Sequence, residues 1–313
     1  MPQALEKDPL TPTIFHEPWW LDIVAPDSYK QVEIYENGKV VGRLPYFLRQ
    51  RWGMKYSLMP PMTHFLGPAV VEGEGSPSTR FLRRLRIIRE LIAQLPEASL
   101  YQYKCHRDIT DAIAFQQEKF LTGVQFTYEI IPQPEEELWK NLRTEKRKKI
   151  RQAQKLHTIT QIDDPLEFLR FYDSNFQEKG IQNVCNERLC SKLIEACFTR
   201  KRGHIYAARN QKGELAAAVF CIWDATTSFY FMCTRTGNSH SGVISLLAWE
   251  ALKDAARQGL IFDFDGLNTS NAVLFFTDFG GIISPRYIVT RQTPAGGLAL
   301  AYKERNRESR YFF

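Results

Sequence analysis

Arg235, Gly237, Asn238, Ser239, Ser241 and Gly242 fall within eight positions, directly ahead of the periodic run VISLLAWEALKDAARQ, which reads as a helix. Glycines and hydroxyls at a helix start leave backbone N–H groups available, and such groups hold phosphate or pyrophosphate. An ordinary strand-to-helix turn is the other reading of the same residues. In LIFDFD, Asp263 and Asp265 alternate with Phe262 and Phe264, so a strand sends both carboxylates to one side. Either one serves as a general base once buried, or the two anchor the turn at Gly266 by hydrogen bonds. Tyr230 and Tyr287 are proton donors by type and packing residues by frequency. Cys233 is a nucleophile only if a histidine follows in a dyad pattern, and none does. There is no HExxH and no serine in a nucleophile elbow.

Two stretches position these groups and read alike. QVEIYENGKVVGRLPYFLRQ (31–50) and HIYAARNQKGELAAAVFCIW (204–223) each hold an apolar strand, a polar turn closed by glycine, and a second apolar strand. Gly38 and Gly213 supply the positive φ that a tight hairpin needs. After each hairpin come a loop, an amphipathic helix and a short strand, and Gly259 stops the second of the two helices. A repeat this long predicts two domains of one fold. The copies differ between hairpin and helix. The first has MPPMTHFLGP, where proline removes the N–H that would bind phosphate, and the second has the 235–242 loop.

Between the copies lies PQPEEELWKNLRTEKRKKIRQAQKL, with acids first and bases last, an order that suits the helix dipole. Leu138, Trp139, Leu142, Ile150, Ala153 and Leu156 form its apolar arc, into which Lys146 and Lys149 intrude. The charged side is either a solvated face or a guide for an anionic acceptor or RNA. The chain has 313 residues and a net charge of +6, mild and compatible with an anionic ligand. No apolar run is long enough for a membrane span, and the first residues show no basic region followed by an apolar one, so the expectation is cytoplasmic. The six cysteines include no CxxC pair, which predicts reduced, structural thiols and no metal site.

The order hairpin, strand, glycine-containing loop, helix, strand resembles the core of GNAT acyltransferases. The tandem arrangement is similar to the Fem-type peptidyltransferases and the CelD-like acetyltransferases. FHEPWWL with Phe15, Trp19 and Trp20, GRLPYFL with Gly42 and Pro45, the loop with Gly67, LWKNLRTEKRKKIRQAQK and FDFDGLNTSNAVLFFTDFGG carry the likeness, over roughly residues 15–290. It implies an α+β fold of mixed sheets in two tandem GNAT-like domains. Residues 1–132 would form an acceptor or scaffold domain, joined by the tail 295–313. Residues 133–294 would bind the donor and open with a basic junction helix over 135–156.

The implied activity is N-acyl transfer from acyl-coenzyme A to an amine bound between the domains, without metal. Asp263, Asp265 and Tyr287 are then the candidate catalytic residues, and Arg235, Gly237, Asn238, Ser239, Ser241 and Gly242 hold the donor. Trp19, Trp20, Lys146 and Lys149 meet the acceptor, a small molecule or cell-wall precursor. The resemblance equally allows an aminoacyl-tRNA donor, as in Fem-type enzymes. It also allows a catalytically silent binding protein, since Phe276 stands where the family often has a lysine, three residues before the closing Phe-Gly.

Overall fold

The computed structural model describes residues 5–301 apart from 52, 181, 182, 184, 268 and 299. The part of the expected tail beyond 301 lies outside the described residues. The chain divides into two compact units, Thr127–Ser284 and, around a separate core, Glu6–Phe126 with the segment from Pro285 onward.

In the amino-terminal unit a 3-10 turn Ile14–His16 and α1 (Pro18–Val24) precede the hairpin β1 (Tyr29–Glu36) and β2 (Lys39–Arg51). Asn37 and Gly38 both take positive φ, 51° and 76°, as a primed two-residue turn requires. β3 (Met54–Ser57) pairs antiparallel with β2, and the short β4 (Ala69–Val70) also lies on β2. α2 (Pro77–Ala93) starts on Ser76, whose hydroxyl accepts from the Thr79 N–H at 3.2 Å. It buries Ile87, Ile88, Leu91 and Ile92, and Gly42 lets it sit close to β2, where a side chain would overlap Ile87. β5 (Leu100–Lys104) then runs parallel to β3 through Tyr56↔Leu100 and Ser57↔Tyr101. α3 (Ile113–Gln117) follows, and then β6 (Leu121–Ile130), which belongs to the carboxy-terminal unit from Thr127 onward.

The carboxy-terminal unit starts with α4 (Glu135–Asn141) and α5 (Thr144–Leu156), then β7 (Thr158–Gln161), α6 (Pro165–Glu178) and α7 (Glu187–Thr199). The hairpin β8 (Gly203–Arg209) and β9 (Leu215–Trp223) leads to β10 (Thr227–Arg235), α8 (Val243–Arg257), β11 (Ile261–Gly266) and α9 (Ser270–Thr277). β12 (Ile282–Gln292) ends the series; from Pro285 it belongs to the amino-terminal unit, where Ile288 to Gln292 pair with β5. The sheet order within this unit is β6-β11-β10-β9-β8-β7. Its core is the strand face under α8, with Leu246, Leu247, Trp249 and Leu252 packed on Val219, Tyr230, Phe262 and Phe264. Apolar side chains nearly all round α8 explain why a helix with so weak a polar face is stable here.

The two copies therefore share antiparallel hairpin, antiparallel third strand, crossover helix and parallel fourth strand, the mixed-sheet architecture of two tandem GNAT-like folds.

Two expectations are corrected. The continuous helix over 135–156 is broken, with Leu142 and Arg143 extended (ψ 139° and 146°). The reason is Arg147, whose guanidinium donates to the carbonyls of Trp139, Lys140 and Leu142 and so caps the end of α4. The cysteines are not all reduced, because Cys185 and Cys190 form a disulfide, with Cα atoms 6.8 Å apart, across the start of α7. Cys190 and Cys197 do share the buried face of α7.

Candidate functional site

β10 and β11 run parallel through Thr227↔Ile261, Ser228↔Phe262 and Phe229↔Asp263, and beyond that pair they are no longer joined. β10 carries a bulge between Tyr230 and Met232, which turns the strand away from β11 while it stays paired with β9. β11 has its own irregularity between Asp263 and Gly266, where it pairs with β6. A slot between two strands of one sheet exposes backbone N–H and C=O groups that a ligand can take up.

In the amino-terminal unit the corresponding opening is filled by the chain itself. Beyond Ser57↔Tyr101, Leu66 bridges Cys105 in parallel, its N–H donating to Lys104 at 2.7 Å and its carbonyl accepting from His106 at 2.9 Å. Gly67, at φ +111°, and Pro68 continue this inserted segment. His16 Nε2–H donates to the Gly67 carbonyl (3.2 Å), and His106 Nε2–H to the Pro68 carbonyl (3.0 Å). Burial holds both imidazoles below their ordinary pKa, His16 well below, with the neighbouring His106 adding to the effect on His16.

The 235–242 loop folds partly on itself. Arg235 reaches Ser239 Oγ and carbonyl, each at 3.4 Å, and Ser239 Oγ donates to the Thr236 carbonyl at 2.8 Å. The Gly242 N–H donates to His240 Nδ1 at 3.0 Å, and the Val243 N–H to the His240 carbonyl at 3.0 Å. Gly237, Asn238 and Ser241 are exposed, and a side chain at Gly237 would meet nothing within 4 Å. Gly242 is different: a Cβ there would overlap the backbone carbonyl of Lys149 on α5. Glycine at 242 is thus what lets α5 lie against the start of α8, and this contact was not legible from the loop's composition.

Asp263 is buried and accepts from the Thr127 hydroxyl and from the Asp265 N–H (2.8 Å), while Thr127 also donates to the Asp265 carbonyl. Asp265 takes a left-handed conformation, φ 64°, so the regular alternation read from the sequence stops there. Thr127, which ties these residues to β6, carries no sequence signal.

Lys146 is the most perturbed cation of the unit. Its side chain is 4% exposed, and the ammonium lies 3.1 Å from the Phe275 carbonyl, 3.4 Å from Ser245 Oγ and 3.6 Å from Asp278. The rings of Phe275 and Phe279 stand 4.0 and 4.7 Å away. Burial lowers its pKa to about 8, against the opposing pull of Asp278. A charged residue on the apolar arc of α5 was the signal for it, whereas nothing pointed to Ser245 or Asp278. Lys149, one turn on, is exposed.

The remaining candidates lie in the amino-terminal unit. Trp20 is fully buried, donates from Nε1 to Thr63 at 3.1 Å and packs edge-on against Phe15; Trp19, half-buried, packs against Trp20. Tyr287 donates to the Thr110 carbonyl at 3.4 Å. The loop 235–242, Asp263, Asp265, Lys146 and Lys149 are brought together in one unit; the two tryptophans and Tyr287 are not part of it.

Residues 140–270 match the family model described as an acetyltransferase (GNAT) domain. No curated protein matches the sequence. Among solved structures the chain is similar to a crystal structure of FemX, at 12% identity and a TM-score of 0.65, over 86% of this chain and 90% of that one. It is also similar to the C-terminal domain of a putative lysylphosphatidylglycerol synthetase from Agrobacterium fabrum, at 11% identity and a TM-score of 0.58, over 90% and 93%. L-PGS from Bacillus licheniformis matches at 10% identity and a TM-score of 0.53, over 88% of each chain. At such identities these likenesses concern the fold, and the residues that the family model matches lie largely in the unit where β10 and β11 part.

Proposed function

We propose that this chain is an N-acyltransferase that takes its acyl group from coenzyme A, and that the donor occupies the slot of the carboxy-terminal unit. The observation that carries the reading is the release of β10 from β11 after Phe229↔Asp263, with the start of α8 just beyond the end of β10. A thioester in that slot lies beside the bulge of β10, where a backbone N–H can donate to the carbonyl oxygen as it becomes an oxyanion. The pantetheine runs along the freed strand edges. The phosphates reach the exposed N–H groups of Gly237, Asn238 and Ser241, with Arg235 and Lys149 supplying positive charge.

The amine attacks the thioester carbonyl, the C–S bond breaks, and the thiolate leaves with a proton that the amine loses. Asp265, half-buried at the end of β11, is the base this reading assigns, and Asp263 positions it by accepting from the Asp265 N–H and from Thr127. Lys146 then holds the end of α9 in place rather than reacting. This reading assigns no part in the chemistry to buried Trp20, half-buried Trp19 or Tyr287.

One observation favours a second reading, an aminoacyl donor carried on tRNA. His240 already occupies the Gly242 N–H, and α5 lies against that helix start, which leaves less room for a pyrophosphate there. Single-turnover assays separate the two. Release of free thiol from acetyl-coenzyme A in the presence of mixed amines supports the first. Amide formation only with charged tRNA supports the second, and neither signal leaves a silent binding protein.

A further inference from the structure

We propose that the Tyr230 hydroxyl donates to the thioester oxygen of the donor and, with the backbone N–H at the bulge of β10, holds the oxyanion. This role rests on the acyl-transfer reading above. Tyr230 is the first residue of β10 beyond the last parallel pair, Phe229↔Asp263, and the bulge follows it directly. Its partner on β9 is Cys221, and the partner of Cys233 is Val219. Both partners belong to the core under α8. Cross-strand partners share a face, so Tyr230 and Cys233 lie on one side of the freed strand.

The Tyr230 ring reaches across to β11 and α9. Its centroid stands 5.5 Å from Phe264, 6.5 Å from Phe262 and 6.0 Å from Phe276. Phe264 in turn stacks on Phe276 at 4.6 Å, so the cluster fixes the ring. Tyr230 is 7% exposed, and its hydroxyl has no hydrogen-bond partner among the described residues. The Cys233 thiol is near enough to affect its titration but makes no hydrogen bond of proper geometry with it. The other buried tyrosines of this unit are partnered. The Tyr128 hydroxyl donates to the Gly281 carbonyl (3.0 Å), and the Tyr206 hydroxyl to Asp254 (2.8 Å).

An unpartnered hydroxyl inside an aromatic cluster is unfavourable, and phenylalanine, which stands at 262, 264 and 276, avoids the penalty. An acceptor that arrives with a ligand offsets it. Cys233, three positions on and on the same face, is exposed, so the strand beside the hydroxyl is open to a ligand. When the amine nitrogen bonds to the thioester carbon, the π electron pair of the carbonyl moves to oxygen, and it returns as the C–S bond breaks. Tyr230 and the bulge N–H donate to that oxygen in the interval, and two fixed donors away from water stabilise such a charge. Burial first, then the neighbouring Cys233 and Cys221, raise the Tyr230 pKa well above its ordinary value, so the hydroxyl keeps its proton throughout.

Tyr230→Phe in the full chain tests this role, because it keeps the ring and removes only the hydroxyl. With acetyl-coenzyme A and mixed amines, kcat for thiol release falls about a hundredfold. KM for acetyl-coenzyme A stays within about twofold of wild type. Free coenzyme A, which has no thioester carbonyl, binds both proteins alike in calorimetric titration, and the variant unfolds at or above the wild-type temperature. Thiol release by the variant at the wild-type rate overturns the inference and leaves the acyl-transfer reading intact. A loss carried by KM, weaker binding of coenzyme A or a lowered unfolding temperature overturns it too, since each makes the hydroxyl a binding or packing group. Wild type that releases no thiol from acetyl-coenzyme A overturns both.

Discussion

Leu66 pairs in parallel with Cys105, and by doing so closes in the amino-terminal unit the opening that β10 and β11 leave in the other. Two copies of one topology thus differ in whether the chain itself occupies the gap beyond the parallel pair. The inserted segment is held by carbonyls from Gly67 and Pro68 to His16 and His106, so freeing it costs four hydrogen bonds and a buried apolar side chain.

The two glycines of the candidate donor loop behave differently on substitution. Gly242→Ala forces a methyl against the Lys149 carbonyl and destabilises the protein by roughly 1–3 kcal/mol, read as a lowered urea midpoint. Gly237→Ala meets nothing within 4 Å and stays within about 0.5 kcal/mol of wild type. Equal stability of the two variants would show that α5 does not press on the start of α8.

The charge on Lys146 costs stability at neutral pH relative to the neutral amine. Its folded pKa of about 8 lies below the usual 10.5, so below pH 8 the buried charge imposes its full penalty, roughly 3 kcal/mol. Between 8 and 10.5 the unfolded chain binds the extra proton, and stability attributable to this group rises with pH. Lys146→Met therefore unfolds at higher temperature than wild type at pH 7, and the gap narrows as pH rises through this window. Asp278 also pairs with Arg143, at 3.1 Å, so removing the ammonium does not take away the one cation beside it. A variant less stable than wild type at pH 7 would mean that the carbonyl and ring contacts of the ammonium outweigh its desolvation.

His16 and His106 act in the opposite pH range. Both have folded pKa values below the ordinary 6.5, mainly through burial, so below pH 6.5 the unfolded state takes up protons that the folded state refuses. Stability is intact above that value and falls as pH drops toward the folded pKa values. Urea unfolding at pH 7 and pH 5 measures this loss, and His106→Gln, which cannot titrate, shows a smaller difference between the two pH values. An unchanged difference would assign the acid sensitivity to other groups.

Much of the fold was legible because it is written in local chemistry. Gly38 and Gly213 have φ of +76° and +80° in their hairpin turns, and Gly259, at +71°, stops α8. The contrast between a proline-rich loop and a glycine- and serine-containing one pointed to a difference between the copies at the place where β10 and β11 part after Phe229↔Asp263 and where Leu66 bridges Cys105. What stayed hidden depends on partners distant in sequence. Nothing near Leu66 announces Cys105, and the break before α5 needs Arg147 to fold back on α4. Gly242 read as a phosphate residue, yet its neighbour is the Lys149 backbone. Asp263 and Asp265 read as equivalent, until a left-handed residue and Thr127 separate them.

Calorimetric titration of acetyl-coenzyme A into wild type and Gly237→Asp tests the central claim most directly. The aspartate adds negative charge to the cradle without a steric clash, so the variant should keep its thermal stability and lose binding. Wild type should saturate at one coenzyme A per chain. Two per chain, none, or undiminished binding by Gly237→Asp would contradict a single donor slot between β10 and β11.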